Sequence, residues 1–290
     1  MSSLNRLWRN LAFRIGVIVL GLLTIIAIAA PYLGTVDPAV LDYALINRPA
    51  GEEVTFTLPS GSVAHTLWMG SDAYGRDIYS RVIYGTRISL WVAICVAVIA
   101  VSVGMLLGVA AGFFRRVDSL IMRTMDGLMA FPSILLAIAL VAALGADLWT
   151  VVIAVAVPEI PRVVRLVRSM VLTLREEPFV EAAIALATPT SKILRKHILP
   201  NAIAPLIVQG TFIAASAVLT EAALSFLGLG LPTDIPTWGN IMAEGRVQFS
   251  QYPGNVMFPA LFLVPTILAI NLLGDGMRDA LDPKFAKRTG

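Results

Sequence analysis

The sequence predicts an all-α polytopic membrane protein with six transmembrane helices and both termini cytoplasmic. Three observations carry this. The 290 residues are 57% hydrophobic and only 14% charged, with a mean hydropathy of +0.81. A soluble domain normally carries roughly a quarter charged residues, so this chain can cover a lipid-facing surface but not a water-facing one. Six segments are continuous apolar runs, at 15–33, 89–114, 127–146, 148–170, 202–230 and 255–274, near the ~20 residues a bilayer core requires. None alternates as a transmembrane barrel strand would. With the amino terminus inside, 17 of the 22 basic residues fall in the segments placed in the cytoplasm, and the positive-inside rule then fixes the orientation.

The first span follows Arg6, Arg9 and Arg14. Its apolar run exceeds the 7–15 residues typical of a signal-peptide core and Pro31 follows at once, so a retained anchor is expected. Residues 1–33 form this first unit. Residues 34–88 come next as an extracytoplasmic segment, in which "VTFTL" alternates like a short strand and "HTLWMGSDAYGRDIYSRVIYGTRISL" predicts an amphipathic helix running into the second span. Residues 89–290 hold the remaining five spans. "RRVDSLIMRTMD" reads as a short basic inner loop and "GAD" as a tight outer turn. The fourth span is the weakest, because Glu159, Arg162, Arg165 and Arg168 crowd its end. Pro132, Pro158, Pro161, Pro205, Pro259 and Pro265 lie in or beside spans, where neighbouring helices can satisfy the freed carbonyls. Residues 232–254 return outside, and no internal repeat divides the core.

Most catalytic chemistry is excluded. Gly70 and Gly75 superficially resemble a phosphate loop, but Arg76 and Asp77 stand where that motif needs Lys and Ser or Thr, and the loop lies on the side without ATP. His65 and His197 are the only histidines, and the topology puts them on opposite sides of the membrane, so they cannot share a metal. The lone Cys95 excludes an intrachain disulfide and reads as a packing residue. No nucleophile sits beside a base, and no cofactor site or nucleic-acid motif is present. Polar groups within spans are costly and often functional. Glu221 lies about 20 residues past Asn201, roughly 30 Å along a helix, which places it at the outer interface. Gln209, Thr211, Ser216 and Thr220 on the same helix serve either a polar path or plain helix packing, and the sequence leaves both open.

Between the fourth and fifth spans, "EAAIALATPTSKILRKHILPN" (181–201) is charged and helical, within a cytoplasmic segment of about 176–201. Pro178 can start a helix with acidic residues in its first turn, and Ala182 and Ala183 leave one face bare for close approach. Thr188 suits an N-cap and Pro189 the first position of a second helix. The physics alone allows a docking element or a solvated loop.

This stretch resembles the E-A-A-x-x-x-G-x9-I-x-L-P motif of binding-protein-dependent ABC importer permeases: Glu181, Ala182, Ala183, Leu199 and Pro200 match, while Ala187 replaces the glycine and His197 the isoleucine. "GSDAYGRDIYSRVIYGTRISL", "SFLGLGLPTDIPTWGN" and "GDGMRDALDPK" are similar to further motifs of the dipeptide/oligopeptide/nickel branch, the last to its C-type subunit. The resemblance implies a type I importer transmembrane fold in a bacterial cytoplasmic (inner) membrane. Glu181, Ala182, Ala183, Ala187, Thr188, Pro189 and Pro200 would form the segment that couples to the ATPase. It further implies a B-type permease as heterodimer partner, two cytoplasmic ATPase subunits that bind the ATP and Mg, and an extracytoplasmic solute-binding protein. A secondary transporter would instead show inverted repeats and a titratable site at the midplane, and a non-transporting membrane anchor is the other alternative.

Overall fold

The computed structural model describes residues 7–58 and 61–281. Arg6, Lys284, Lys287 and Arg288, which contribute to the charge asymmetry, and the end of the "LDPK" motif lie outside the described residues. The elements in order are α1 (Leu11–Ala29), a hairpin of β1 (Glu53–Leu58) and β2 (Gly61–Thr66), α2 (Ile78–Phe113), α3 (Arg115–Met129), α4 (Ser133–Leu144), α5 (Leu148–Ala156), α6 (Ile160–Arg175), α7 (Pro178–Ala185), α8 (Thr190–Ile193), α9 (Leu199–Phe226), α10 (Trp238–Gly245) and α11 (Gly254–Leu281).

Among the described residues four helical stretches are long and apolar enough to cross a membrane: Leu11–Tyr32, Ile78–Phe113, Thr190–Phe226 and Gly254–Ala280. The α3–α4 pair adds a fifth if counted as one span bent by 91°. Expected spans three and four are thus not single helices. Pro132 precedes the short α4. Pro158, which lacks an N–H to donate, sits within a 3-10 turn at Val157–Glu159 that separates α5 from α6, and Pro161 is in the first turn of α6. "RRVDSLIMRTMD", expected as a loop, is the amphipathic helix α3. Its two carboxylates meet the charged face of α6: Arg168 donates to both oxygens of Asp118 at 2.6 and 2.7 Å and Arg165 to Asp126 at 2.6 Å.

The other face of α6 is apolar. Ideal Cβ atoms on Gly104, Gly108 and Gly112 of α2 would stand only 2.5, 2.6 and 2.6 Å from the Cβ atoms of Val163, Val167 and Val171. Three glycines and three valines at matching four-residue intervals bring the two backbones together as side chains there could not. These valines join Val92, Val96, Val155 and Ile213 in one buried core. A second core surrounds Trp238 between α2, α9, α10 and α11. A third lies under the hairpin, around Phe56 and Leu67.

The strand expected at "VTFTL" forms, with Val54 opposite His65 and Phe56 opposite Val63. The amphipathic helix expected from residue 65 starts later, at Ile78, because residues 67–77 are committed to turns. Asp72 Oδ1 accepts from the N–H groups of Tyr74 and Arg76. Gly75 has a φ of +75° and its Cβ position falls on the Asp42 carbonyl, so only glycine fits. Asp77 then N-caps α2 by accepting from Ser80 N at 2.9 Å, and also meets His65 Nε2 at 3.0 Å.

Candidate functional site

The polar segment after α6 folds as two short helices with a tight turn between them. Pro178 is the first residue of α7, where its missing N–H costs nothing, and Glu177 is its N-cap. Val180 and Ala183 are buried, whereas Glu181, Ala182, Ala185 and Ala187 are exposed. Phe179, Ile184 and Leu186 add exposed apolar surface, Leu186 at 81%. The outward face of α7 is therefore small and apolar, with Glu181 as its exposed carboxylate.

Ala187 adopts a φ of +53°. Its N–H donates to Ile184 O at 2.9 Å, and the N–H of Thr188 donates to Ala183 O at 3.0 Å. That is the bond pattern of a Schellman C-cap, whose left-handed residue is usually glycine. The substitution at the motif glycine therefore leaves the turn geometry intact and places an alanine under backbone strain. The two positions after it shift by one from expectation. The Thr188 N–H is engaged in closing α7, so Pro189, not Thr188, is the N-cap of α8 and Thr190 its first residue. The Pro189 carbonyl accepts from Lys192 and Ile193.

Pro200 has no N–H for the next ladder position. Residues Leu194–Ile198 widen there into a π turn, and the Leu199 N–H reaches Leu194 O. Asn201 Nδ2 donates to His197 O at 2.6 Å, and α9 begins. Lys192, Arg195 and Lys196 ring a cavity of about 340 Å³ with Ser191.

The four polar residues expected along α9 do not act as one row. Gln209, Ser216 and Thr220 share a helix face at spacings of seven and four, and each is half-buried. Thr211 is on the opposite face, packed closely against Gly274 of α11, so helix packing accounts for it. Ser216 Oγ donates to Glu159 Oε1 at 3.0 Å, and Glu159 Oε2 accepts from Arg162 at 2.8 Å. Glu221, expected at the outer interface, is near the carboxyl-terminal end of α9 and buried beneath α10. Its Oε1 accepts from Ser225 Oγ at 2.8 Å, and its Oε2 makes no hydrogen bond among the described residues.

The remaining motif residues build one assembly that sequence reasoning missed. Arg76 binds Asp72 at 2.7 Å and also Glu244 of α10, while the fully buried Arg81 reaches Glu244 at 3.2 Å. Both guanidinium groups also donate to Thr233 O. Two positive and two negative groups thus tie residues 72–81 to residues 233–244. Burial raises the Glu244 pKa above the ordinary carboxylate value, while Arg81 and Arg76 oppose the rise and Asp72 adds to it. Beside this cluster Trp238 Nε1 donates to Val82 O at 3.2 Å, and Asn240 Nδ2 donates to the carbonyls of Leu231, Pro232 and Ile235. The signal was in the sequence as two motif stretches rich in Asp, Arg and Gly; what the sequence could not give was that they meet.

The family described as binding-protein-dependent transport system inner membrane component matches residues 100–287. The chain is 43% identical, over 97% of its length and 90% of the relative's, to a putative peptide transport system permease protein of Brucella abortus. It is 42% identical, over 98% and 90%, to the dipeptide transport system permease protein DppC of Alkalihalophilus pseudofirmus. It is 41% identical, over 96% and 88%, to the glutathione transport system permease protein GsiD of Pectobacterium atrosepticum. Its fold is similar to that of a chain in the inward-facing MetNI methionine ABC transporter, with a TM-score of 0.56 and 19% identity over 71% of this chain and 98% of that one. The protein therefore belongs to the binding-protein-dependent transport system inner membrane components, as a multi-pass permease subunit of an ABC importer.

Proposed function

We propose that this chain is the C-type permease subunit of an importer for peptides or chemically related solutes, forming half of a translocation path with a B-type permease. The observation that carries the reading is identity above 40% across nearly the whole chain to permeases named for peptides, dipeptides and glutathione. In this reading six crossings place both termini in the cytoplasm. The bent α3–α4 pair contributes the third, and α5 with α6 the fourth. Residues 1–33 hold the first span, 34–88 the extracytoplasmic segment and 89–290 the permease core.

Residues 176–201 are the coupling segment. Glu181, Ala182, Ala183, Ala187, Thr188, Pro189 and Pro200 shape it, and the outward apolar face of α7 seats in a cytoplasmic ATPase subunit. The two ATPase subunits bind the ATP and Mg, and this chain carries no cofactor. Closure of the ATPase pair moves α7, and α6 and α9, which flank the segment, transmit the movement to the path. Gln209, Ser216 and Thr220 line that path, and a solute-binding protein delivers solute from outside.

The test is reconstitution of the complex in proteoliposomes with radiolabelled di- and tripeptides. ATP-dependent uptake is expected only when both permeases, the ATPases and the binding protein are present. ATP-driven uptake by this permease without its B-type partner would refute the heterodimer. Glu181→Lys should lower the ATPase stimulation by binding protein and the uptake together, while assembly persists. A charge reversal in a docked, partly buried site costs roughly 2–5 kcal/mol, and unchanged rates would count against the docking role.

A further inference from the structure

One charged pair inside the bundle is used neither by the coupling segment nor by the Asp72–Arg76–Arg81–Glu244 cluster. Glu159 ends the 3-10 turn between α5 and α6, and its side chain is 8% exposed. It accepts from Ser216 at 3.0 Å through one oxygen and from Arg162 at 2.8 Å through the other. Arg162 is 60% exposed and among the described residues only its Nη1 has a hydrogen-bond partner, which leaves most of its five donors free. The charge count places Arg162 with the cytoplasmic bases at the end of the fourth span, but in the structure it is one residue before Val163, whose contact with Gly104 lies well inside the 36-residue helix α2. Ionic groups at such depth face a bundle interior or a watery cavity rather than lipid. The pair is neutral in sum but asymmetric, with the carboxylate covered and the guanidinium open. Ser216, which fixes that carboxylate, shares its helix face with Gln209 and Thr220.

We propose that Arg162 lines the translocation path and offers its guanidinium to a carboxylate of the passing solute, with Glu159 and Ser216 as positioning residues. The inference rests on the peptide-importer reading and deepens it, because every free peptide carries a terminal carboxylate. A guanidinium fork matches that group bidentately. Glu159 already occupies one donor and competes for the rest, which keeps the contact weak enough for release, as conduction requires.

The test uses the reconstituted complex in two arms. In the first, Gln209→Cys and Thr220→Cys are made separately with Cys95→Ser, with and without Arg162→Gln. Modification of each new thiol by anionic sulfonatoethyl and cationic trimethylammonioethyl methanethiosulfonates is followed by mass spectrometry. The anionic-to-cationic rate ratio should fall roughly three- to tenfold when Arg162 is removed, the effect of one unit charge several ångströms away in a wet site. In the second arm, uptake of trialanine is compared with uptake of trialanine amide. Wild type should prefer the free acid, Arg162→Gln should lose the preference, and Arg162→Lys should restore part of it. Thiols closed to both reagents, an unchanged ratio, or an unchanged preference in Arg162→Gln would each overturn the proposal. If wild type imports neither probe, the peptide reading fails, and the thiol arm alone then decides whether Arg162 faces the path.

Discussion

At the residue scale, Ala187 is the position where sequence and backbone disagree most directly. It replaces the glycine of the coupling motif, yet the Schellman bonds hold it at a φ of +53°, a conformation that costs a side-chain-bearing residue about 1 kcal/mol or more. Ala187→Gly should relieve that strain and slow hydrogen exchange of the Ala183–Thr188 closing bond by roughly fivefold, with uptake intact. Faster exchange in the glycine variant would contradict the strain. Thr188 and Pro189 were misplaced by one because no residue pattern announces that the Thr188 N–H closes the preceding helix. In the Asp72–Arg76–Arg81–Glu244 cluster, Arg81→Met leaves Asp72 and Glu244 short of a buried partner and should destabilise the complex by about 3–5 kcal/mol, with Glu244→Gln milder. The Glu244 pKa is raised in the folded state. Its contribution is therefore fully present below the ordinary carboxylate pKa and is lost as pH rises through the raised value. On acidification from neutral pH through that raised value, thermal unfolding of the complex should show a Glu244-dependent gain that is absent in Glu244→Gln.

At the element scale, the α2–α6 contact is the strongest test of how the bundle is held. Gly108 sits with its missing Cβ 2.6 Å from Val167 Cβ. Gly108→Ala should cost about 1–3 kcal/mol through overpacking, and Gly108→Leu should prevent assembly, read as loss of the intact complex on size exclusion. Normal assembly of Gly108→Leu would show that the helices do not depend on this approach. The pairing was legible in principle as glycines and valines each repeating at intervals of four, since both faces of the contact are local patterns. The long spans at α1, α2, α9 and α11 were legible from length and apolarity alone. Helix α3 was not, because its Asp118 and Asp126 find Arg168 and Arg165 some 40 to 50 residues away. Charge read as a loop is here the adhesive of a helix pair. Thr211 and Ser216 looked alike in sequence, and only the neighbours Gly274 and Glu159 separate packing from a polar face.

At the scale of the whole molecule, two assemblies of motif residues occupy different parts of the chain. The Asp72–Arg76–Arg81–Glu244 cluster and Trp238 fasten the segments expected outside, while α7 presents Glu181, Ala182, Ile184 and Leu186 outward from the segment expected inside. Coupling between them requires that these assemblies face opposite aqueous compartments, so the central claim rests on orientation. The sequence offers only the asymmetry of its basic residues for this. The direct measurement introduces Ser62→Cys on the exposed hairpin, or Ser191→Cys on the exposed start of α8, into Cys95→Ser chains in cells that carry the complete transporter. A membrane-impermeant thiol reagent added to intact spheroplasts should label position 62 and spare position 191, which should react only after permeabilisation. Labelling of position 191 in sealed spheroplasts would put the coupling segment on the side without ATP and contradict the account.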